Sequence, residues 1–310
     1  MPETREFRLV DAFAEQPYRG NPAGVVLDAD GLSDTQMQRI AREINASETS
    51  FLTRLNDLHR LPRLRWFTPA TEVQFCGHAT LAAAHALADS GALTQILARP
   101  EPCVTFESAA GELRLYPERL PPPHNQFVWW LQMPDPRLEP DHTNPLRTCD
   151  LLGITLDDLA PALPPARTRD NDVIFMITSW QRLMELSPNF AALAEWCQQS
   201  NIRGVCVATT ATLSESTSVH SRFFAPAVGI NEDPVTGSVH GPLAALLVRH
   251  GAVPSVAGLA GLMCLQGRGE RIGVVRARVQ TTATGCSVRI GGVCHTTVSG
   301  TVRVPPEAPA

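Results

Sequence analysis

One pattern occurs twice in this chain. Arg65-Trp66-Phe67-Thr68-Pro69 returns as Arg222-Phe223-Phe224-Ala225-Pro226, and Glu72 stands five residues before Gly77 as Glu232 does before Gly237. Each glycine opens a run of small apolar residues, 78–87 and 238–248, that closes on a matching turn, Gly91-Ala92-Leu93 and Gly251-Ala252-Val253. Copies about half a chain apart in 310 residues predict two similar lobes with a cleft between them, and paired helix starts facing that cleft. A hydrophobic content of 44% suffices for two packed cores.

The repeated helices are unusual. Ala79, Ala82, Ala83, Ala84, Ala86 and Ala88 leave the first almost no polar face, and Gly241-Pro242-Leu243-Ala244-Ala245-Leu246-Leu247-Val248 is similar. A helix apolar all round is buried all round, so each is expected at the centre of a lobe. Their starts carry Gly, His, Thr and Ser, which suit an end with free backbone N–H groups. Around them, 7–10 and 25–27 read as short strands flanking the Gly20-Asn21-Pro22 turn. Residues 33–44 read as an amphipathic helix with a Ser33/Gln36 capping box, followed by a strand over 47–53. The second half echoes this with a helix opened by Ser187-Pro188, with Phe190, Leu193, Ala194 and Cys197 inside, and a strand over 205–209.

A proline-rich stretch lies between the halves. Residues 117–123 read as its linker and 126–132 as the first strand of the second lobe. The expected organisation is an N-terminal lobe over 1–120, a C-terminal lobe over 121–304 and a disordered tail over 305–310.

Bulk properties exclude several classes. A net charge of −5 gives no footprint for nucleic acid or an anionic membrane, and no apolar stretch is long enough to span a bilayer. Met1-Pro2-Glu3-Thr4-Arg5 lacks the apolar core of a secretion signal. The eight cysteines show no C-x-x-C pair and no Cys/His cluster with zinc spacing, so no metal is expected. Scattered thiols of this kind point to a reducing, cytoplasmic setting.

Several residues can carry chemistry. Cys76-Gly77-His78 and Thr236-Gly237-Ser238 open the two central helices, where outward N–H groups and the helix dipole favour an anion such as a carboxylate. A lone copy reads as plain capping; the duplication favours a paired anion site. Glu48 follows the first amphipathic helix, and the equivalent stretch 201–209 contains no acid. It therefore breaks the repeat, as a unique general base would. Asp233 stands where the first half has Val73, and reads equally as an acid, a base, an orienting group or a turn-forming Asp before Pro. His78 suits a proton shuttle or a cap. Arg268 in Gln266-Gly267-Arg268-Gly269 is a weaker signal, read either as a carboxylate clamp or as part of an ordinary hairpin.

Asp11-Ala12-Phe13, Gly20-Asn21-Pro22-Ala23-Gly24-Val25-Val26, Ser47-Glu48-Thr49-Ser50-Phe51, Cys76-Gly77-His78-Ala79-Thr80-Leu81-Ala82 and Arg222-Phe223-Phe224-Ala225-Pro226 run in order, ending in Glu232-Asp233-Pro234-Val235-Thr236-Gly237-Ser238-Val239-His240-Gly241. Together they resemble the phenazine-biosynthesis isomerase (PhzF-like) family. The resemblance implies an α+β fold of the diaminopimelate-epimerase type: two pseudo-symmetric lobes, each a curved sheet or partial barrel around a central helix. It also implies proton transfer without cofactor or metal, a homodimer, and a small carboxylate-bearing substrate. Glu48 matches the family's proton-moving glutamate, with His78, Asp233 and Ser238 among its other polar site residues. Cys76, Gly77, Thr236 and Gly237 complete the expected substrate-binding set. In the Gln266–Gly269 turn the chain looks shorter than the family pattern.

Related epimerases and racemases place one cysteine at each central-helix start. Here Cys76 repeats as Thr236, and a threonine hydroxyl is far too weak an acid to complete a thiol pair. The leading expectation is an isomerase with Glu48 as base. The alternatives are an epimerase using Cys76 with another group, and a non-catalytic binding protein on the same fold.

Overall fold

A computed structural model describes residues 3–57, 59–124, 126–283 and 285–307. The chain divides into two compact units, one made of 1–132 with 291–310, the other of 133–290.

The first unit is built on β1 (Thr4–Ala12), β2 (Asn21–Val26), α1 (Asp34–Ile44), β3 (Glu48–Thr53), β4 (Arg63–Phe67), β5 (Glu72–Val73), α2 (Gly77–Asp89), α3 (Thr94–Leu97), β6 (Val104–Ser108), β7 (Gly111–Arg119) and β8 (Phe127–Gln132). Pairings run β1–β2–β3–β4–β6–β7–β8. The long C-terminal strand Gly285–Arg303 pairs with both β8 and β1, so eight strands close into a barrel. Strand alternation sorts residues to two faces. Phe51 and Phe67 join Val26, Met37, Ile40 and Ala41 in a cluster beneath α1. Ser50, on the opposite face of β3, donates its hydroxyl to the Ala79 carbonyl of α2 at 2.9 Å. Helix α2 is buried from Gly77 to Ala84 and packs against β1, β2, β3 and β8. The polar residues near its end, His85 and Asp89, pair at 3.3 Å. The Ser33/Gln36 capping box forms as expected.

The second unit comprises β9 (Leu138–Pro140), α4 (Pro145–Leu152), β10 (Ala166–Thr168), β11 (Asp172–Met176), α5 (Trp180–Glu185), α6 (Phe190–Gln199), β12 (Gly204–Thr209), β13 (Val219–Ala225), β14 (Ile230–Asp233), α7 (Gly237–Arg249), β15 (Leu259–Gln266), β16 (Gly273–Thr282) and the start of β17 (Gly285–Arg303). Its ladder runs β9–β10–β11–β12–β13–β15–β16. Both units share one plan. A parallel pair spans an outer helical crossover (β2/β3 and β11/β12), and a second parallel pair spans the central helix (β4/β6 and β13/β15). Helix α7 is buried over Val239 to Leu247 and packs against β15 and β16. A separate core gathers Leu152, Phe175, Leu183, Leu193 and Val207 under α4, α5 and α6. Asn189, rather than Ser187, caps α6, accepting from the Ala192 N–H.

The division of the chain differs from the expected 1–120 and 121–304 split. Pro117 is a barrel residue, paired with Trp129, and β8 belongs to the first unit. Proline is tolerated there because the β6 partner ends opposite Leu115, leaving no ladder bond on that side for Pro117 to supply. The tail is also more ordered than expected through residue 307. Gln36 and Arg39 of α1 donate to the carbonyls of Pro305 and Pro306, both at 2.8 Å, and Ser33 donates to Glu307. Residues 308–310 lie outside the described residues.

Candidate active site

The first unit brings Glu48, Cys76, Gly77 and His78 together. Glu48 opens β3 on the same face as Ser50, which ties that face to the first turn of α2. The Glu48 carboxylate Oε2 lies 3.1 Å from His78 Nε2, and the two side chains are 14% and 7% exposed. Cys76 precedes α2 in extended conformation without capping it by its side chain. Its Sγ lies 3.4 Å from His78 Nδ1 and 4.0 Å from Nε2. Thr80 donates to the Cys76 carbonyl at 2.6 Å and so fixes the turn.

Asn21 adds a support that the sequence reading used only as part of a turn. Its Nδ2 lies 3.5 Å from His78 Nδ1, and its Oδ1 accepts from Ser47 at 3.1 Å. Gly20 makes this placement possible. It holds φ +67°, and a Cβ there would lie 2.2 Å from the Ala12 carbonyl oxygen. The electrostatics follow from burial and proximity. Burial, then the Glu48 charge, pushes the Cys76 thiol up. Burial works against a charged His78, but its Cys76 and Glu48 neighbours outweigh that and hold its pKa well above the ordinary value. An imidazole that favours its protonated form beside a carboxylate is suited to holding that carboxylate and passing protons. One donor atom each from Glu48, Cys76 and His78 lies within 4.8 Å of the others, a cluster hidden from spacing analysis because Glu48 comes from a different element.

The second unit builds a different helix start. Asp233 Oδ2 accepts the Thr236 hydroxyl at 2.5 Å. Gln266 accepts from the Thr236 N–H at 2.8 Å and donates to the Asp233 carbonyl at 2.8 Å and to Thr236 Oγ1 at 3.1 Å. The member of the Gln266–Gly269 turn that reaches this helix start is therefore its buried glutamine. Arg268 is 56% exposed and lies 3.9 Å from Glu232. Ser238 Oγ accepts from Arg203 at 2.9 Å, and Arg203 in turn forks onto buried Asp172. Gly237 is buried at the same start. His240 bonds the Thr236 carbonyl at 2.8 Å and sits 3.2 Å from Ser221 Oγ. Burial lowers its pKa to about 4, so it is neutral. Arg203, Gln266 and His240 were not singled out in the sequence. For Arg203 and Gln266 the available signal was their position just before β12 and at the end of β15, the strands flanking the repeated motif.

Comparison with known proteins agrees with this architecture. The family model described as phenazine biosynthesis-like protein matches residues 10–300. An uncharacterized isomerase, YddE, of Salmonella typhimurium is 39% identical over 246 residues, covering 78% of each chain. The crystal structure of a PhzF-family phenazine biosynthesis protein from Bacillus anthracis superposes with TM-score 0.84 at 26% identity, covering 97% of this chain and 99% of that one. A hydroxyproline epimerase from Agrobacterium vitis shares the fold alone, with TM-score 0.63 at 13% identity over 98% of this chain and 94% of its own. Among the described residues no helix is long and apolar enough to cross a membrane.

Proposed function

The chain belongs to the phenazine biosynthesis-like (PhzF) family of isomerases, and from that premise we propose that it moves a proton within a small unsaturated carboxylate, using Glu48 as base and no cofactor. Glu48 takes a proton from carbon beside a double bond or carbonyl. The C–H electron pair becomes part of the shifted π system, and the same carboxyl group returns the proton at another carbon. His78 holds the carboxylate at 3.1 Å and damps the change in its charge. The substrate's own carboxylate is held by outward backbone N–H groups at a central-helix start, Gly77 with Cys76 and His78 in one unit, Gly237 and Ser238 in the other, where the Thr236 N–H is already donated to Gln266. Asp233 is assigned to organising the latter start through Thr236. The observation that carries the reading is the Glu48–His78 pair, its histidine buried and its carboxylate mostly so, at a helix start with no side-chain cap. The family resemblance extends the proposal to a homodimer, which light scattering checks.

Cys76 favours a second reading, an epimerase, because its Sγ sits 3.4 Å from a histidine nitrogen. Against it, the repeat partner Thr236 has its hydroxyl committed to Asp233. The test is a screen of small unsaturated and cyclic carboxylates for deuterium uptake from heavy water. Isomerisation places deuterium at a new carbon with double-bond migration. Epimerisation places it at a stereocentre without migration. Cys76→Ser should retain most of the exchange; a loss as deep as that of Glu48→Gln would favour the epimerase.

A further inference from the structure

We infer that Arg203 is a positioning residue for the proposed reaction: anchored by Asp172, it donates to Ser238 Oγ and thereby makes the Ser238 hydroxyl a fixed donor to the substrate's carboxylate. The inference rests on the proposed role of the α7 start as the place of that carboxylate. Arg203 Nε donates to Asp172 Oδ1 at 2.8 Å, and Nη2 donates to both Asp172 Oδ2 and Ser238 Oγ, the latter at 2.9 Å. The fork fixes the plane of the guanidinium. Nη2 carries two hydrogens, so one completes the fork and the other is left for the serine.

The consequence falls on the serine proton. A guanidinium has no lone pair, so Ser238 can only accept from it. The hydroxyl hydrogen must then turn elsewhere, and no group among the described residues takes it. Ser238 is the second residue of α7 and is partly buried. Its hydroxyl and the Gly237 and Ser238 N–H groups are all donors at one helix start, which suits an acceptor without protons of its own, an ionised carboxylate. A serine has three staggered χ1 rotamers, and the Arg203 bond selects one. The cation also polarises the O–H and strengthens it as a donor.

The first unit lacks the device. β2 pairs Ala23 with Glu48 as β11 pairs Asp172 with Gly204, so Ala23 matches Asp172 and Ser47 matches Arg203. Ser47 donates instead to Asn21, which lies beside His78, the residue matching Ser238. Ala23 is fully buried and Asp172 is 1% exposed, so a methyl fills the place that the second unit gives to a carboxylate. Packing therefore does not require the ion pair, and a buried pair is by itself weak evidence for stability. The remaining contact of Arg203, its guanidinium 5.8 Å from the Phe223 ring, needs no carboxylate either. What the pair accomplishes is to hold a cation against Ser238.

The test uses the full ¹⁵N-labelled chain, titrated with sodium benzoate and followed at the Gly237 amide. The wild type should give saturable shifts. Ser238→Ala should weaken benzoate binding by about 10-fold, the scale of a hydrogen bond to a charged group. Arg203→Met alone strands buried Asp172 and can unfold the chain. The decisive variant therefore pairs it with Asp172→Leu, which removes one charge of each sign and fills the space with apolar groups. That pair should weaken binding by about 3-fold, the statistical worth of one selected rotamer in three. Added to Ser238→Ala it should cost nothing more, because both changes act through one hydroxyl. A further loss in the triple variant would place Arg203 on the anion itself and overturn the positioning role, as would wild-type affinity in the paired variant. If the paired variant does not fold, Asp172→Asn, which keeps the shape and unpins Arg203, gives the same decision in the same cycle with Ser238→Ala. No saturable shift in the wild type, with acetate and sulfate as well as benzoate, overturns the inference together with the α7 carboxylate site. With a substrate from the deuterium screen, the paired variant should raise KM about 3-fold with a smaller change in kcat, and a change in kcat alone overturns the inference. Full exchange by Glu48→Gln would instead sink the proposed base and leave the role of Arg203 to be decided by benzoate.

Discussion

The first turns of α2 and α7 hold matching places in two copies of one topology, yet their chemistry differs. Strand register makes the comparison residue by residue. Phe67 pairs with Thr49 as Phe224 pairs with Val205, so Glu48 corresponds to Gly204. Trp66 pairs with Val73 as Phe223 pairs with Asp233, which fixes the second correspondence. What supports the scaffold is kept. In both copies the arginine of the motif forks onto the glutamate, Arg65 to Glu72 and Arg222 to Glu232. In both, the fourth helical residue bonds the carbonyl just before the helix, through Thr80 in one and His240 in the other. What occupies the helix start has diverged. The first copy holds a carboxylate, an imidazole and a thiol. The second ties its helix start down with Asp233, Gln266, Arg203 and Asp172. A Cβ at Gly204 would lie 2.3 Å from Phe223 Cζ, so the second copy has no room for a residue like Glu48. Duplication supplied the frame, and packing against one aromatic ring confines the proposed base to one side of it.

The largest expected effect tests that asymmetry at the chemistry. Glu48→Gln keeps shape but removes the base, and should lower the rate of deuterium exchange by about 10²–10⁴-fold, with the substrate still bound. Wild-type exchange in that variant would erase the distinction between the copies.

Next come the paired arginines. Arg222 is 1% exposed and also donates to the carbonyls of Leu183, Met184 and Leu186 at the end of α5. Arg222→Met should therefore cost about 3–5 kcal/mol, because it strands Glu232 and those carbonyls. Arg65 is 17% exposed, bonds acidic side chains and a thioether, and lies over the Phe67 ring. Arg65→Met should cost about 1 kcal/mol. Denaturant unfolding of both variants gives the ordering, and equal losses would refute it.

Gly204→Ala sharpens the packing argument. The added methyl meets a buried ring, so a loss of about 1–3 kcal/mol is expected. A crystal structure of the variant should show Phe223 displaced. An unchanged melting temperature would mean that the ring moves aside freely.

The last effect is pH-dependent and belongs to His240. Its folded pKa, about 4, lies below the ordinary 6.5, so between these values the unfolded chain binds more protons. Stability should therefore fall as pH drops through that window, with this one residue contributing a slope of up to about 1.4 kcal/mol per pH unit. His240→Thr, which installs the first copy's solution, should flatten the slope. A slope unchanged in the variant would assign the acid sensitivity to another group.

Much of the molecule was legible in the sequence because periodicity and duplication are local properties. The all-apolar runs announced two central helices, since a helix without a polar face has nowhere to go but a core. The Ser33/Gln36 box located α1 because capping needs only neighbouring residues. The absence of an acid over 201–209 already marked Glu48 as unpaired in the repeat. What the sequence could not determine was which distant groups meet. That Asn21 reaches His78, that Gln266 holds Thr236, and that Arg203 holds Ser238 depends on strand register, which brings together residues many positions apart. Register also placed 127–132 in the first unit, although the proline run suggested a break before it. Local pattern encodes which face a residue presents; only the closed ladder of strands decides what that face finds opposite it.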